Sequence, residues 1–569
     1  MKLARPSAGT AALLITWIVL TWVALTSRPL LPLDETRYLS VAWDMWTHGN
    51  ELVPHLNGQI YSQKPPLLFW LIQAGWSVFG VSEFWGRMVA PLFGLGALFA
   101  ARSLGARLWP DEPERAALLP WLLLGSLLWT VFATVTMFDM GNVLFAVVGA
   151  IGIVLAWQGR ALFGWALVAF SIGLGVLNKG PVILVYVLPM ALAAPWWGRP
   201  ALGAPLWRWY MGLAAGVAGG AAIALSWAMP AASAGGPAYA NAILWGQTAG
   251  RVAESFAHRE PFWFYVPLVP VLLLPWAVWP AAWRGTAAAL RSQTVPVRFA
   301  LSWLVPGFIV LSAFSGKQPH YLLPLFPAFA ILVAAGMPVG QMPRWSRVVP
   351  GAVTVAIGFA LAFVSMWVRY GTGATTLRLP EYAQNIGPVL GLAIVVIGVV
   401  AAIVPLKANV GAVAVLSVHT VLVVLALHVF GVRPLNYALN IAPIAFQVRE
   451  FQREGRPMAV LDEYQGQFNF LGRITTPLPV YGWEQAYGFL HSNVRTLLLT
   501  FVAERPPRWM GAQYVYPYRG GYVAIFNDNA WDVYRTESQR EQRRVTAGPT
   551  ANRSVLAPGA NAVPAAPPH

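Results

Sequence analysis

Residues 139–197 read DMGNVLFAVVGAIGIVLAWQGRALFGWALVAFSIGLGVLNKGPVILVYVLPMALAAPWW. Three apolar runs, at 141–157, 161–177 and 180–197, are parted only by Gln158-Gly159-Arg160 and by Asn178-Lys179. Each approaches the ~20 residues needed to cross the hydrocarbon of a bilayer, and none carries the polar stripe of a helix lying on a soluble core. Runs of the same kind recur near 11–28, 86–101, 117–136, 209–228, 262–282, 299–315, 319–337, 348–368, 388–405 and 409–430. The expectation is an all-α polytopic membrane protein of about thirteen spans, with roughly residues 1–435 forming the transmembrane domain.

Composition agrees. Of 569 residues, 57% are hydrophobic and 11% charged, against about 25% charged in ordinary soluble domains. The net charge of +16 does not point to nucleic acid, because the Lys and Arg residues stand singly or in small groups between apolar runs. The absence of Cys excludes disulfides, thiolate metal sites and a cysteine nucleophile, leaving carboxylates, His, Lys, Arg and hydroxyls for any chemistry. The stretch from Ala11 to Thr26, behind Lys2 and Arg5, runs into Ser27-Arg28-Pro29 without a clear cleavage signature and reads as a retained first span.

With thirteen spans in order, alternate connections hold Lys2/Arg5, Arg102/Arg107/Arg115, Arg160, Arg199/Arg208, Arg284/Arg291/Arg298, Arg344/Arg347 and Lys407. The positive-inside rule assigns that side and the N-terminus to the cytoplasm. The other connections, including 29–85, 229–261 and everything after 430, then face outward, which in a bacterium is the periplasm. Cations that break the bias, namely Lys64, Lys179, Arg251 and Lys317, sit in or beside outward loops. Each alone is compatible with snorkelling to lipid headgroups, but four on one face suggest a shared purpose.

From about residue 436 the character changes. Short apolar segments at Met458–Leu461, Leu497–Val502 and Tyr522–Phe526, separated by Gly, Pro and Asn, predict a small soluble α/β domain over 436–540. Residues 541–569 hold too few large apolar side chains to offset ordering entropy and read as a disordered tail.

The first outward loop opens with Asp34-Glu35-Thr36-Arg37-Tyr38 and an amphipathic stretch, Ser40–Trp46, able to lie at the interface. Adjacent acids also suit a helix N-terminus, so the dipeptide alone is a weak signal. Tyr61-Ser62-Gln63-Lys64-Pro65-Pro66 then places a lysine where prolines stiffen the backbone, a fixed cation suited to a phosphate. Asp139, Lys179, the stretch from Arg251 through His258 to Phe264, and Lys317 through Tyr321 repeat the theme. Such a set fits glycosyl transfer from a lipid phosphate: cations stabilise charge on the leaving phosphate, carboxylates position acceptor or sugar, and aromatic rings stack on the sugar.

Those segments resemble the membrane glycosyltransferases that take a sugar from a polyprenyl phosphate, a superfamily that includes the protein O-mannosyltransferases. Within it, the closest likeness is to the 4-amino-4-deoxy-L-arabinose transferases of lipid A. The resemblance spans most of 30–330: DETRY with Trp43 and Trp46, Tyr61-x-x-Lys64-Pro65, Asp139, Lys179-Gly180, Arg251…His258…Pro261-Phe262-Trp263, and Lys317…Tyr321-Leu322-Leu323-Pro324. It implies catalytic roles for Asp34 and Glu35, and substrate or phosphate binding by Arg37, Tyr38, Tyr61, Lys64, Asp139, Lys179, Arg251, His258, Lys317 and Tyr321. Relatives commonly carry Phe-Glu where this chain has Ser62-Gln63, which bears on the identity of the sugar.

The resemblance further implies an undecaprenyl phosphate-linked amino sugar as donor, lipid A as acceptor, and an inverting transfer in the bacterial inner membrane. No cofactor is expected, although His258 with an acid has the chemistry to ligate a divalent metal. Two rivals stand beside this reading. One is a protein O-mannosyltransferase or another polyprenyl-phosphate-sugar transferase, and the other is a transporter or flippase, for which ionisable residues near mid-membrane are expected.

Overall fold

The computed structural model describes residues 8–198, 205–250, 259–337, 344–370, 385–404 and 409–547. Contacts divide the chain into two compact units, one of 1–29, 51–53 and 61–436, the other of 30–50, 54–60 and 437–569.

The first unit is helical. Among its described residues, ten helices are long and apolar enough to cross a membrane. They match ten of the thirteen expected runs, among them α1 (Ala8–Ser27), α4 (Glu83–Leu108), α7 (Asp139–Trp157) and α8 (Ala161–Lys179). The other three runs are broken. The run at 117–136 splits into α5 (Pro113–Leu124) and α6 (Leu127–Phe132) around Gly125-Ser126, and α9 (Ile183–Leu192) stops after ten residues, shortly beyond Pro189. The run at 262–282 becomes Tyr265–Leu272 and a 3₁₀ turn, Trp276–Val278, across Pro267, Pro270 and Pro275. Each proline removes a backbone donor and crowds the preceding turn, which hydropathy alone does not register.

Close packing relies on small residues where lipid supplies no hydrophobic drive between helices. The hairpin of Arg344–Tyr370 and Ile386–Ile403 meets at Gly351, where a Cβ would stand 2.6 Å from the Gly398 oxygen. The end of α1 is held differently. Arg87 of α4, only 2% exposed, donates to the carbonyls of Ala24, Leu25 and Arg28 at 2.9–3.2 Å and pairs with Glu83 at 3.1 Å. It thereby satisfies carbonyls that α1 leaves open at its C-terminus. Arg28, also buried, donates to the Thr134 carbonyl at 2.9 Å.

The second unit is built on a five-stranded mixed sheet. Its first-loop part contributes α2 (Asp34–His48) and a hairpin of β1 (His55–Leu56) and β2 (Gln59–Ile60). The hairpin turns at Asn57-Gly58 with φ of 55° and 75°, the two-residue turn that Asn-Gly favours, and a Cβ on Gly58 would meet Pro477 at 2.7 Å. The sheet comprises β3 (Met458–Leu461), β4 (Val480–Tyr481), β5 (Leu497–Val502), β6 (Tyr514–Tyr518) and β7 (Gly521–Phe526), in the order β4-β3-β5-β7-β6. β3 runs parallel to both neighbours, with Val460 opposite Val480 and Met458 opposite Leu497, whereas β5–β7 and β7–β6 are antiparallel.

Both faces of the sheet are covered. Val460, Leu497, Leu499 and Ile525 pack with Ile444 and Val448, while Leu461, Leu498 and Phe526 pack with Leu490 and Trp531. Burial on both faces explains why β3 is apolar throughout rather than alternating. The last helix, Asp528–Ala547, continues past 540, and residues 548–569 lie outside the described residues.

Candidate functional site

In the membrane unit, α7 and α8 form an antiparallel hairpin joined at 158–160, so the residue that opens one faces the residue that closes the other. Those residues are Asp139 and Lys179, paired at 2.6 Å with side chains 3% and 13% exposed. Asn178, fully buried, ties the same ends together by donating to the Phe138 carbonyl at 2.7 Å and to Asn142 at 3.0 Å. The Lys179 ammonium also lies 4.6 Å from the centre of the Tyr321 ring.

The turn that brings Tyr321 there is a 3₁₀ segment, Pro319–Leu325, held by hydroxyl donation from Tyr186 to the Tyr321 carbonyl and from Tyr265 to the Gln318 carbonyl. His320 packs against the Phe132 ring and edge-to-face with Tyr321, and its Nε2 is 3.9 Å from Asp139 Oδ2, too far for a hydrogen bond. Lys64 lies over the Phe138 ring at 6.0 Å, and Tyr61, Phe69 and Phe138 form an edge-to-face series. Lys179, His320 and Lys64 all act electrostatically on Asp139. One carboxylate therefore stands among two lysines and a histidine, an excess of positive charge that suits a phosphate.

Lys317 lies in the same turn but spends its ammonium differently. It is 3% exposed and donates to the carbonyls of Glu260 and Phe314. These bonds, with the bridge between Arg259 and Gly316, fasten the backbone around the turn through two of the ammonium's three N–H groups. Arg251 and His258 lie outside the described residues.

In the second unit, α2 begins at Asp34, whose side chain is half exposed and accepts from Arg37 Nη2 at 2.5 Å. Glu35 has no exposed surface, and its carboxylate turns back to accept the Leu31 N–H at 2.8 Å. The two adjacent acids thus have different environments: Glu35 fastens the entry to the helix, and Asp34 is open to a partner. Arg37 lies over the Tyr38 ring at 5.3 Å and reaches Gln465 at 2.7 Å, while Tyr38 is buried. The stretch Ser40–Trp46 is mostly buried protein, with Trp46 alone exposed, rather than a helix with one face free for lipid.

His320 and Asn178 were not among the expected site residues, although both stand inside quoted motifs. Gln465 had no sequence signal, being 428 residues from its partner. Among the described residues, the trio able to offer metal ligands within 4.8 Å of one another is His491, Asp528 and Asp532, all in the sheet unit.

No family model matches the chain. It is 31% identical over 333 residues to the undecaprenyl phosphate-alpha-4-amino-4-deoxy-L-arabinose arabinosyl transferase of Pseudomonas aeruginosa, and the match covers 56% of this chain and 58% of that protein. The likeness to the transferase of the same name from an Enterobacter species is 29% over 386 residues, covering 66% and 67%. Among solved structures, ArnT from Cupriavidus metallidurans bound to undecaprenyl phosphate superposes with a TM-score of 0.70 at 20% identity, covering 91% of this chain and 97% of that one. Its apo state gives 0.69. At that identity the structural likeness is one of fold. The chain is thus similar in sequence, over somewhat more than half of its length, to the undecaprenyl phosphate-aminoarabinose arabinosyl transferases, and it carries the fold of the Cupriavidus protein.

Proposed function

We propose that the chain transfers 4-amino-4-deoxy-L-arabinose from undecaprenyl phosphate to a phosphate of lipid A, at the periplasmic face of the inner membrane. The observation that carries the reading is the buried Asp139–Lys179 pair with Lys64, His320 and Tyr321 around it, on a chain whose relatives are named for arabinosyl transfer from undecaprenyl phosphate-aminoarabinose. An oxygen of the acceptor phosphate attacks the anomeric carbon, the bond from that carbon to the donor phosphate breaks, and undecaprenyl phosphate leaves with the electron pair. Inversion follows from attack opposite the leaving group.

Lys64 and Lys179 stabilise the charge that grows on the departing phosphate. Asp139 Oδ2, which accepts no hydrogen bond from the described residues, is the acceptor assigned to the ammonium of the amino sugar. The acceptor phosphate is already largely ionised near pH 7, so Asp34 has no need of strong basicity: it takes a residual proton or orients the acceptor, with Arg37 beside it. The cations supply the charge stabilisation a divalent ion would otherwise bring, so transfer proceeds without metal. The N-terminus is cytoplasmic, on the cation bias of alternate loops.

The purified protein in lipid nanodiscs, given the donor and lipid A, tests this: release of undecaprenyl phosphate should require lipid A and persist in chelator. Release only with a peptide acceptor would replace the reading with a protein glycosyltransferase. Loss of transfer in chelator, restored by one divalent ion, would overturn the metal-free mechanism.

A further inference from the structure

We propose that the C-terminal sheet domain positions the reaction's carboxylate through Gln465, whose amide oxygen holds the Arg37 guanidinium and, through it, the Asp34 carboxylate. The inference rests on the reading of Asp34 given above and assigns a role to a domain that the transfer chemistry leaves unused.

Arg37 bonds with both terminal nitrogens, Nη2 to Asp34 and Nη1 to Gln465 at 2.7 Å. The guanidinium is planar and rigid, so a partner that fixes one nitrogen aims the other. A lone ion pair one helical turn apart, half exposed at the acid, leaves the carboxylate free to change rotamer. A third partner on a separate, ordered segment removes that freedom.

The segment is ordered for reasons visible in its own contacts. The Gln465 N–H donates to Gln467 Oε1 at 2.9 Å, and Gln467 is 3% exposed. Tyr464, buried so that its hydroxyl stays protonated well above the ordinary range, donates to Asn469 at 2.5 Å and accepts the Phe468 N–H. Gly466 has φ +67°, and a Cβ there would meet Leu56. The loop is then fastened along α2. The Phe470 N–H donates to Ser40 Oγ at 3.0 Å, Trp43 Nε1 donates to the Ile474 carbonyl at 2.9 Å, and the Arg473 guanidinium lies 5.2 Å from the Trp43 ring and 4.1 Å from that of Phe470.

The residue type matters as much as its place. An amide presents an acceptor to Arg37 without a charge, leaving Asp34 as the guanidinium's anionic partner. A glutamate at 465 would compete with Asp34 for that cation and raise the proton affinity of both acids. A lysine would repel it. Gln465 is accordingly a positioning residue that touches no substrate.

The test compares wild type with Gln465→Ala, Gln465→Asn and the isosteric Gln465→Glu in the nanodisc assay, at equal amounts of folded protein. Misplacement of a reacting group predicts a kcat lower by roughly ten- to a hundred-fold in Gln465→Ala with an unchanged donor KM. Gln465→Asn should recover part of the loss, and the acidic limb of the Gln465→Glu pH–rate profile should move to higher pH. Combined with Arg37→Lys, the alanine change should add little. An active wild type with full kcat in Gln465→Ala, or an unmoved profile in Gln465→Glu, would overturn the inference. A wild type that transfers nothing would instead sink the proposed function.

Discussion

Replacing Lys179 with Met separates its observed pairing with Asp139 from its proposed role in binding phosphate. The charge sits 2.6 Å from Asp139, and both side chains are largely out of solvent. At an effective dielectric of about 20, Coulomb attraction over that distance is on the order of 6 kcal/mol before the desolvation of either ion is counted. The net consequence of deleting one partner, which strands the other charge, is about 3–5 kcal/mol of stability. Lys179→Met should therefore lower the thermal midpoint of the detergent-solubilised protein and abolish transfer, whereas Lys179→Arg keeps the charge and much of the midpoint. The double variant Asp139→Asn/Lys179→Met removes both charges and should regain most of the stability. If Lys179 binds phosphate, the double variant stays inactive although stable. Recovery of transfer in the double variant would refute that role and reduce Lys179 to a structural partner of Asp139.

Glu35→Gln, which keeps an acceptor for the Leu31 N–H, should leave transfer within a few-fold of wild type. Asp34→Asn should lower kcat by about a hundred-fold or more, measured at matched protein levels. Arg87→Met leaves several carbonyls at the end of α1 without their donor and should cost about 3 kcal/mol, read as loss of folded protein on heating. His491 Nδ1 donates to the Tyr487 carbonyl, and Nε2 faces Asp528 and Asp532 at 3.0 and 3.5 Å; these partners raise its proton affinity above the ordinary value. A raised folded value means a contribution fully present below about pH 6.5 and lost as pH rises through the folded value. The thermal advantage of wild type over His491→Gln should accordingly shrink above neutrality, and a growing advantage would contradict the assignment.

Much of the membrane unit was legible because hydropathy is a local property. The runs that failed, at 117–136, 180–197 and 262–282, failed where prolines or Gly125 interrupt helices that composition alone makes continuous. Asp139 and Lys179 were both expected on the outward side, and their pairing follows from the short connection at 158–160, which makes α7 and α8 antiparallel neighbours. The different surroundings of Asp34 and Glu35 were not legible, since adjacent residues on a helix point about 100° apart and what each meets is decided by distant chain. Nor were the bonds from Lys317 to the carbonyls of Glu260 and Phe314 legible from its charge and loop position, since one of them spans 57 residues. Contacts such as Arg37 with Gln465 and Asn57 with Leu478 join segments more than 400 residues apart, and periodicity carries no trace of them.

Sugar transfer to lipid A can be read from the mass of lipid A itself. The host would be a bacterium that makes the donor but lacks its own aminoarabinose transferase. Expression of wild type should add the mass of one aminoarabinose to lipid A, and Asp34→Ala at equal membrane levels should add none. Unmodified lipid A from correctly inserted wild type would mean that lipid A is not the acceptor of this transferase.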